Sequence, residues 1–132
     1  MKLEQIDHLA LTCREPAASL DWYVRVLGFE PEFVGQWGGV PLFLRLGSTR
    51  LALFPLRDRA PGGNSKTPDG PRMDHFALRA ATCSEFLAAQ DDLRERGIAF
   101  DFQDHEISLS IYFDDPNGHT VEITTYDLTG ET

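Results

Sequence analysis

The chain has 132 residues, 42% of them hydrophobic, which suits one compact domain with a buried core over residues 1–132. A formal net charge of −9 excludes a nucleic-acid binder and docking on anionic lipid, since both need surplus Lys and Arg. Two cysteines make no disulfide framework and no apolar run reaches the roughly 20 residues of a membrane span, so the expectation is a cytoplasmic protein without a signal peptide, whose partner is a small molecule or another protein.

The first strand signal is "IDHLAL" at 6–11. Pro16 then suits a first helical turn, and "AASLDWYVRVL" places Leu20, Tyr23, Val24 and Leu27 at helical spacing before Gly28 stops the run. Strand signals follow in "PEFVGQ", "PLFLRL" and "TRLALF", the last two separated by a Gly47-Ser48 turn. The segment 56–72, "LRDRAPGGNSKTPDGPR" from Leu56, is rich in Pro, Gly and charge and reads as a linker or lid. Then the pattern repeats. "MDHFAL" at 73–78 matches the first strand signal. Thr82-Cys83-Ser84-Glu85 fits a capping box ahead of "FLAAQDDLRER", with Phe86, Leu87, Gln90 and Leu93 on one side and Gly97 as the stop. Strand signals in "IAFDFQ", "SLSIYF" and "TVEITTY" complete the second copy, with a turn at Asp114-Asp115-Pro116-Asn117-Gly118. Each copy reads β-α-β-β-β: module one about 4–55, module two about 73–126. The fold class is α+β.

Strand side chains alternate between faces. On that pattern His8 shares a face with Ile6, Ala10 and Thr12, and His75 shares one with Ala77 and Arg79. Alanine beside each imidazole leaves open space. Ser108, Ser110 and Tyr112 fall on one face of their strand, and Thr120, Glu122 and Thr124 on one face of the next. Two neutral imidazoles and a carboxylate are the set that holds a divalent metal and leaves positions open for substrate, so His8, His75 and Glu122 are the candidate metal ligands. His119 is expected at the surface, Arg45 and Arg79 in solvent, and Cys13 and Cys83 as buried thiols. Asp7 and Asp74 are expected on the face opposite the histidines, explained by duplication or by hydrogen bonding at a strand edge.

With these motifs in hand, the sequence resembles the vicinal oxygen chelate superfamily, which includes glyoxalase I, extradiol dioxygenases, methylmalonyl-CoA epimerase, fosfomycin-resistance enzymes and bleomycin-binding proteins. The resemblance runs over residues 4 to 126 and rests on "IDHLAL", "DWYVRVLGFE", "MDHFAL" and "SIYFDDPNGHTVEITTYD". It implies two βαβββ modules curled into a cup-shaped mixed sheet around a metal held by His8, His75 and Glu122. It implies a divalent ion, Fe(II) or Mn(II) first, with Ni(II) or Zn(II) as alternatives. Glyoxalase I takes a fourth ligand from the late strand of its first module, and "TRLALF" has no carboxylate or histidine there. The extradiol dioxygenases match better, with a tyrosine ten residues before the glutamate, here Tyr112, and a histidine upstream of it as an acid–base group, here His105. The implied function is a metal-dependent, extradiol-dioxygenase-like enzyme. The alternatives are a glyoxalase- or epimerase-like isomerase or lyase, and a non-enzymatic binder of bleomycin-type antibiotics. A homodimer is expected from the size of family members.

Overall fold

The computed structural model describes residues 1–56 and 71–130. Most of the 56–72 segment therefore lies outside the described residues. The chain divides into two compact units, Met1–Arg72 and Met73–Thr132. Each carries one β-α-β-β-β module, and together the modules supply two four-stranded mixed sheets and two helices, an α+β fold.

The first unit runs β1 (Leu9–Cys13), α1 (Pro16–Leu27), β2 (Glu30–Glu32), a short 3-10 turn (Gln36–Gly39), β3 (Leu42–Leu46) and β4 (Thr49–Pro55). The sheet order is β1-β4-β3-β2, with β1 parallel to β4 and the other pairs antiparallel. Pro16 opens α1, where a missing N–H is tolerated, and Gly28 closes it at φ 77°, a left-handed cap that a side chain would strain. The helix buries Ser19 and Tyr23, and Tyr23 packs edge-on against Phe29 at 5.6 Å between ring centres. Leu11, Cys13, Leu44, Leu51 and Leu53 complete that core.

The second unit runs β5 (Phe76–Arg79), α2 (Cys83–Glu95), β6 (Asp101–Asp104), β7 (Leu109–Asp114) and β8 (Thr120–Thr125), in sheet order β5-β8-β7-β6. Thr82 Oγ1 accepts the Glu85 N–H at 3.1 Å, half of the expected capping box; the Glu85 carboxylate accepts from Ala81 N–H, one residue earlier than the motif requires. The helix buries Cys83, Phe86, Gln90 and Leu93. Leu87, expected on that face, is exposed, because the stripe of side chains three and four apart begins at Cys83. Ile111, Phe113, Val121 and Ile123 are buried at alternate positions of β7 and β8, as the period of two requires. The histidines of the two repeats stand immediately before β1 and β5, not within them.

The strand expected in "PEFVGQ" ends at Glu32. Phe33 and Trp37 both adopt φ 54°, the left-handed region that bulky residues avoid, and the chain turns there instead of pairing further. The Val40–Pro41 bond is cis. Both cysteines are buried free thiols, as expected.

Candidate functional site

In the second unit, the register sets one polar face. Glu122 lies between Ala77 on β5 and Tyr112 on β7, and Thr124 lies between Arg79 and Ser110. Because the side-chain period is two, Ser110, Tyr112, Glu122 and Thr124 emerge on the side away from α2. Ala77 adds no bulk, and His75 enters the gap: its Nε2 stands 2.8 Å from Glu122 Oε1. The other carboxylate oxygen accepts from Ser110 Oγ at 2.6 Å, and Ser110 Oγ lies 3.0 Å from Thr124 Oγ1. Glu122 is 9% exposed, so this carboxylate is held out of bulk water by specific partners.

His75 Nδ1 donates to Asp74 Oδ2 at 2.7 Å. The ring is thereby fixed, with Nε2 directed at Glu122. The Asp74 hydrogen bond, and after it the bond and charge of Glu122, raise the His75 pKa above the ordinary histidine value, against the opposing effect of burial. A proton on Nε2 occupies the position between the two donors where a cation would sit. At 2.8 Å the two groups are in hydrogen-bond contact, and an imidazole nitrogen and a carboxylate oxygen are both ligands that divalent ions accept. A carboxylate on the far nitrogen is the usual support of a metal-bound imidazole. The donor set therefore fits a divalent ion.

Tyr112 packs edge-on to His75 at 5.5 Å, and its hydroxyl lies 3.1 Å from His105 Nε2. Burial, and then the negative charge of Glu122, push the phenol pKa upward. His105 is exposed and sits in the tight turn between β6 and β7, where its backbone N–H bonds Ser108 O. The four residues His75, Glu122, Tyr112 and His105 thus form one continuous row.

In the first unit, His8 repeats the motif. Its Nδ1 donates to Asp7 Oδ2 at 2.8 Å. Arg50 reaches Asp7 Oδ1 at 3.8 Å and bonds Glu32 Oε1 at 2.5 Å. The His8 hydrogen bond, assisted by the Arg50 charge, lowers the Asp7 pKa. Asp7 and Asp74 each precede a strand, where the strict two-residue alternation does not yet hold, and each carboxylate curls back onto the next imidazole. Hydrogen bonding is one of the two explanations the sequence offers for these residues, but it does not name the neighbouring imidazole as the partner; the signal available is the Asp-His pair occurring twice.

Three further placements differ from expectation or refine it. His119 is half-buried, not at the surface: its Nδ1 donates to Oδ2 of the buried Asp115 at 2.7 Å, and Asp115 Oδ1 also accepts from the Asn117 and His119 N–H groups, which locks the turn. Arg45 remains partly exposed but pairs with Glu30 at 2.9 Å, and Arg79 lies over the Tyr126 ring at 5.3 Å. Among the described residues, no group of three or more His, Cys, Asp or Glu side chains is gathered for a metal within either unit.

The model of the Glyoxalase/Bleomycin resistance protein/Dioxygenase superfamily matches residues 5–123. The chain belongs to this superfamily. Among curated proteins, glyoxylase I 4 of Arabidopsis thaliana is 26% identical over 96% of this chain and 74% of its own length. Among solved structures, lactoylglutathione lyase from Agrobacterium tumefaciens matches 99% of this chain and 100% of its own with a TM-score of 0.74 at 23% identity. Oxidase ChaP-H2 matches 98% and 100% with a TM-score of 0.68 at 20% identity. The two structural matches show the superfamily fold. No helix among the described residues is long and apolar enough to cross a membrane.

Proposed function

We propose that the protein is a metal-dependent enzyme of the superfamily that acts on a small substrate with adjacent oxygens, in the manner of an extradiol dioxygenase. The observation that supports this most is the Asp74–His75–Glu122 arrangement with Tyr112 and His105 beside it. His75 and Glu122 would hold a divalent ion, with His8, braced by Asp7 as His75 is by Asp74, as the third ligand. When bound, the ion supplies Lewis-acid stabilisation of negative charge on the substrate oxygens and, if it is Fe(II), a site for dioxygen.

The chain's own groups then have distinct tasks. Ser110 engages one oxygen of Glu122 and leaves the other directed at His75, so the carboxylate cannot rotate away. Tyr112 keeps its proton because burial and the nearby carboxylate disfavour the phenolate, and it donates a hydrogen bond to a substrate oxygen. His105 Nε2, 3.1 Å from that hydroxyl, takes the proton released by a substrate hydroxyl and returns it later.

A lyase reading has its own support in the similarity to glyoxylase I 4. Against it, β4 offers no acid or imidazole as a fourth ligand. Anaerobic loading with Fe(II), followed by a panel of catechols, separates the two. Oxygen uptake with a yellow ring-cleavage product is expected, and its loss in Glu122→Gln. Stoichiometric metal with no oxygen uptake, and isomerisation of a 2-oxoaldehyde–thiol adduct instead, overturns the dioxygenase reading. Absence of stoichiometric metal overturns the enzyme reading altogether.

A further inference from the structure

The chain has 21 acidic and 12 basic residues, so an arginine without a carboxylate partner is the exception. Arg25, Arg45, Arg50, Arg94 and Arg96 each pair with one. The ring-walled recess of the first unit, beside His8, obeys the same rule: its Arg50 is engaged by Glu32 and Asp7. Arg79 differs. Among the described residues no carboxylate pairs with it, and its guanidinium lies instead over the Tyr126 ring at 5.3 Å. Arg79 and Tyr126 are both exposed.

The register of the second unit puts Arg79 on the polar face already described. Ala77, Glu122, Tyr112 and Asp101 form one row across β5, β8, β7 and β6, and Arg79, Thr124 and Ser110 begin the next. Residues directly opposite one another share a face, and neighbouring rows lie roughly 7 Å apart. Ala77 is small and exposed, so no bulk stands between Arg79 and the Glu122 row. On the other side of Glu122 the charge changes sign: Asp114, opposite Thr120, and Asp101, opposite Tyr112, are exposed carboxylates. They line a recess of about 490 Å³ that Tyr112 also lines. The face is therefore polar along its length, with acids at one end, His75 and Glu122 in the middle and a guanidinium at the other end.

We propose that Arg79 is a specificity-determining residue that binds a carboxylate on the substrate, remote from the oxygens held at His75 and Glu122. The assignment rests on the functional reading above, because it takes the His75–Glu122 pair as the place where the adjacent oxygens are anchored. Four residues separate Glu122 from Tyr126, roughly 13 Å of extended chain. An anion seated on the guanidinium thus lies on the order of 10 Å from Glu122. Stacking on Tyr126 steadies the guanidinium plane and leaves its N–H fork for a ligand, and that fork matches the two oxygens of a carboxylate. Asp101 and Asp114 repel the same group at the opposite end, so an anionic tail binds in one direction only.

The test is calorimetric titration of the full chain loaded with Mn(II), using metal-chelating hydroxamates that differ in the tail. The probes are octanohydroxamate, suberic monohydroxamate as its carboxylate counterpart, the ω-ammonium counterpart, and succinic monohydroxamate as an acid too short to span the distance. The suberic compound is expected to bind about tenfold more tightly than octanohydroxamate. The ammonium compound is expected to bind more weakly than octanohydroxamate, and the succinic compound to gain nothing from its acid. Arg79→Gln is expected to equalise the suberic and neutral compounds without changing bound Mn(II) or melting temperature. Arg79→Lys keeps part of the preference, and Arg79→Glu reverses it in favour of the ammonium tail, which a merely structural role would not do. Tyr126→Leu is expected to reduce the preference about threefold. Equal affinity for the suberic and neutral compounds in wild type, or a preference that survives Arg79→Gln, overturns the proposal. If Mn(II) does not bind, the metal reading fails by itself, and hexanoate titrated into the metal-free chain decides for Arg79. A saturable NMR shift of the Arg79 Nε–H that hexylamine does not produce supports the anion site; no saturable shift overturns it.

Discussion

The two Asp-His corners are the same motif placed against opposite surroundings. Around His75 the neighbours are an acid, a serine, a threonine and a tyrosine, and the imidazole nitrogen points at a carboxylate 2.8 Å away. Around His8 they are Phe33, Trp37 and Phe43, with Arg50 beyond Asp7. One copy of the duplication concentrates charge and hydrogen bonds; the other concentrates apolar ring surface. A repeated backbone therefore leaves the chemistry free to diverge: in the second unit alternate strand residues supply the polar groups, and in the first the turn after β2 supplies two of the three rings.

The largest expected effect tests the polar corner. Glu122→Gln keeps the shape and removes the charge, and is expected to abolish stoichiometric metal and lower turnover by on the order of a thousandfold or more. His75→Ala is expected to match it. His8→Ala sharpens the comparison: a matching loss of metal, measured by elemental analysis, makes the two corners equal partners, whereas retained metal confines binding to the second unit.

Next come the braces. Asp74→Asn and Asp7→Asn leave the imidazoles in place but weaken the bond that orients them, and each is expected to cost about 10- to 100-fold in metal affinity by calorimetric titration. An effect at Asp74 alone would mean that the two corners are alike only in sequence.

A smaller contrast separates the helices. The N-cap of α2, Thr82, accepts the Glu85 N–H, whereas Glu15, at the corresponding place before α1, makes no side-chain cap bond. Thr82→Ala is expected to destabilise the protein by about 1 kcal/mol, and Glu15→Ala by less than about 0.5 kcal/mol, in urea unfolding.

The smallest effect concerns acid. Asp127 Oδ2 accepts the Cys83 N–H at 2.9 Å and ties the segment after β8 to the start of α2. That bond, and those from Thr129, lower its pKa below 3.8. A depressed carboxylate stabilises the fold above its unfolded pKa, and the contribution fades as pH falls through the folded value. Asp127→Asn is therefore expected to narrow its stability gap from wild type between pH 5 and pH 2. A gap that stays constant over that range would remove Asp127 as the clamp.

Much of this architecture was legible in the residues themselves. Pro16 and Gly28 bracket α1, Thr82 opens α2, and the alternation in "SLSIYF" and "TVEITTY" places Tyr112 and Glu122 on one face, because these signals depend only on local geometry of period two or 3.6. What the sequence left open depends on groups that meet across the fold or at its breaks. The partners of Asp7 and Asp74 lie where strand alternation has not begun, and the burial of Asp115, which draws His119 in, depends on how a turn folds over. The ring recess arises because a strand stops early at Glu32 and two aromatics take left-handed backbone angles, which no periodicity encodes. Local pattern determined which side chains share a face; only tertiary structure decided which of them touch, since contact depends on distances between segments remote in sequence.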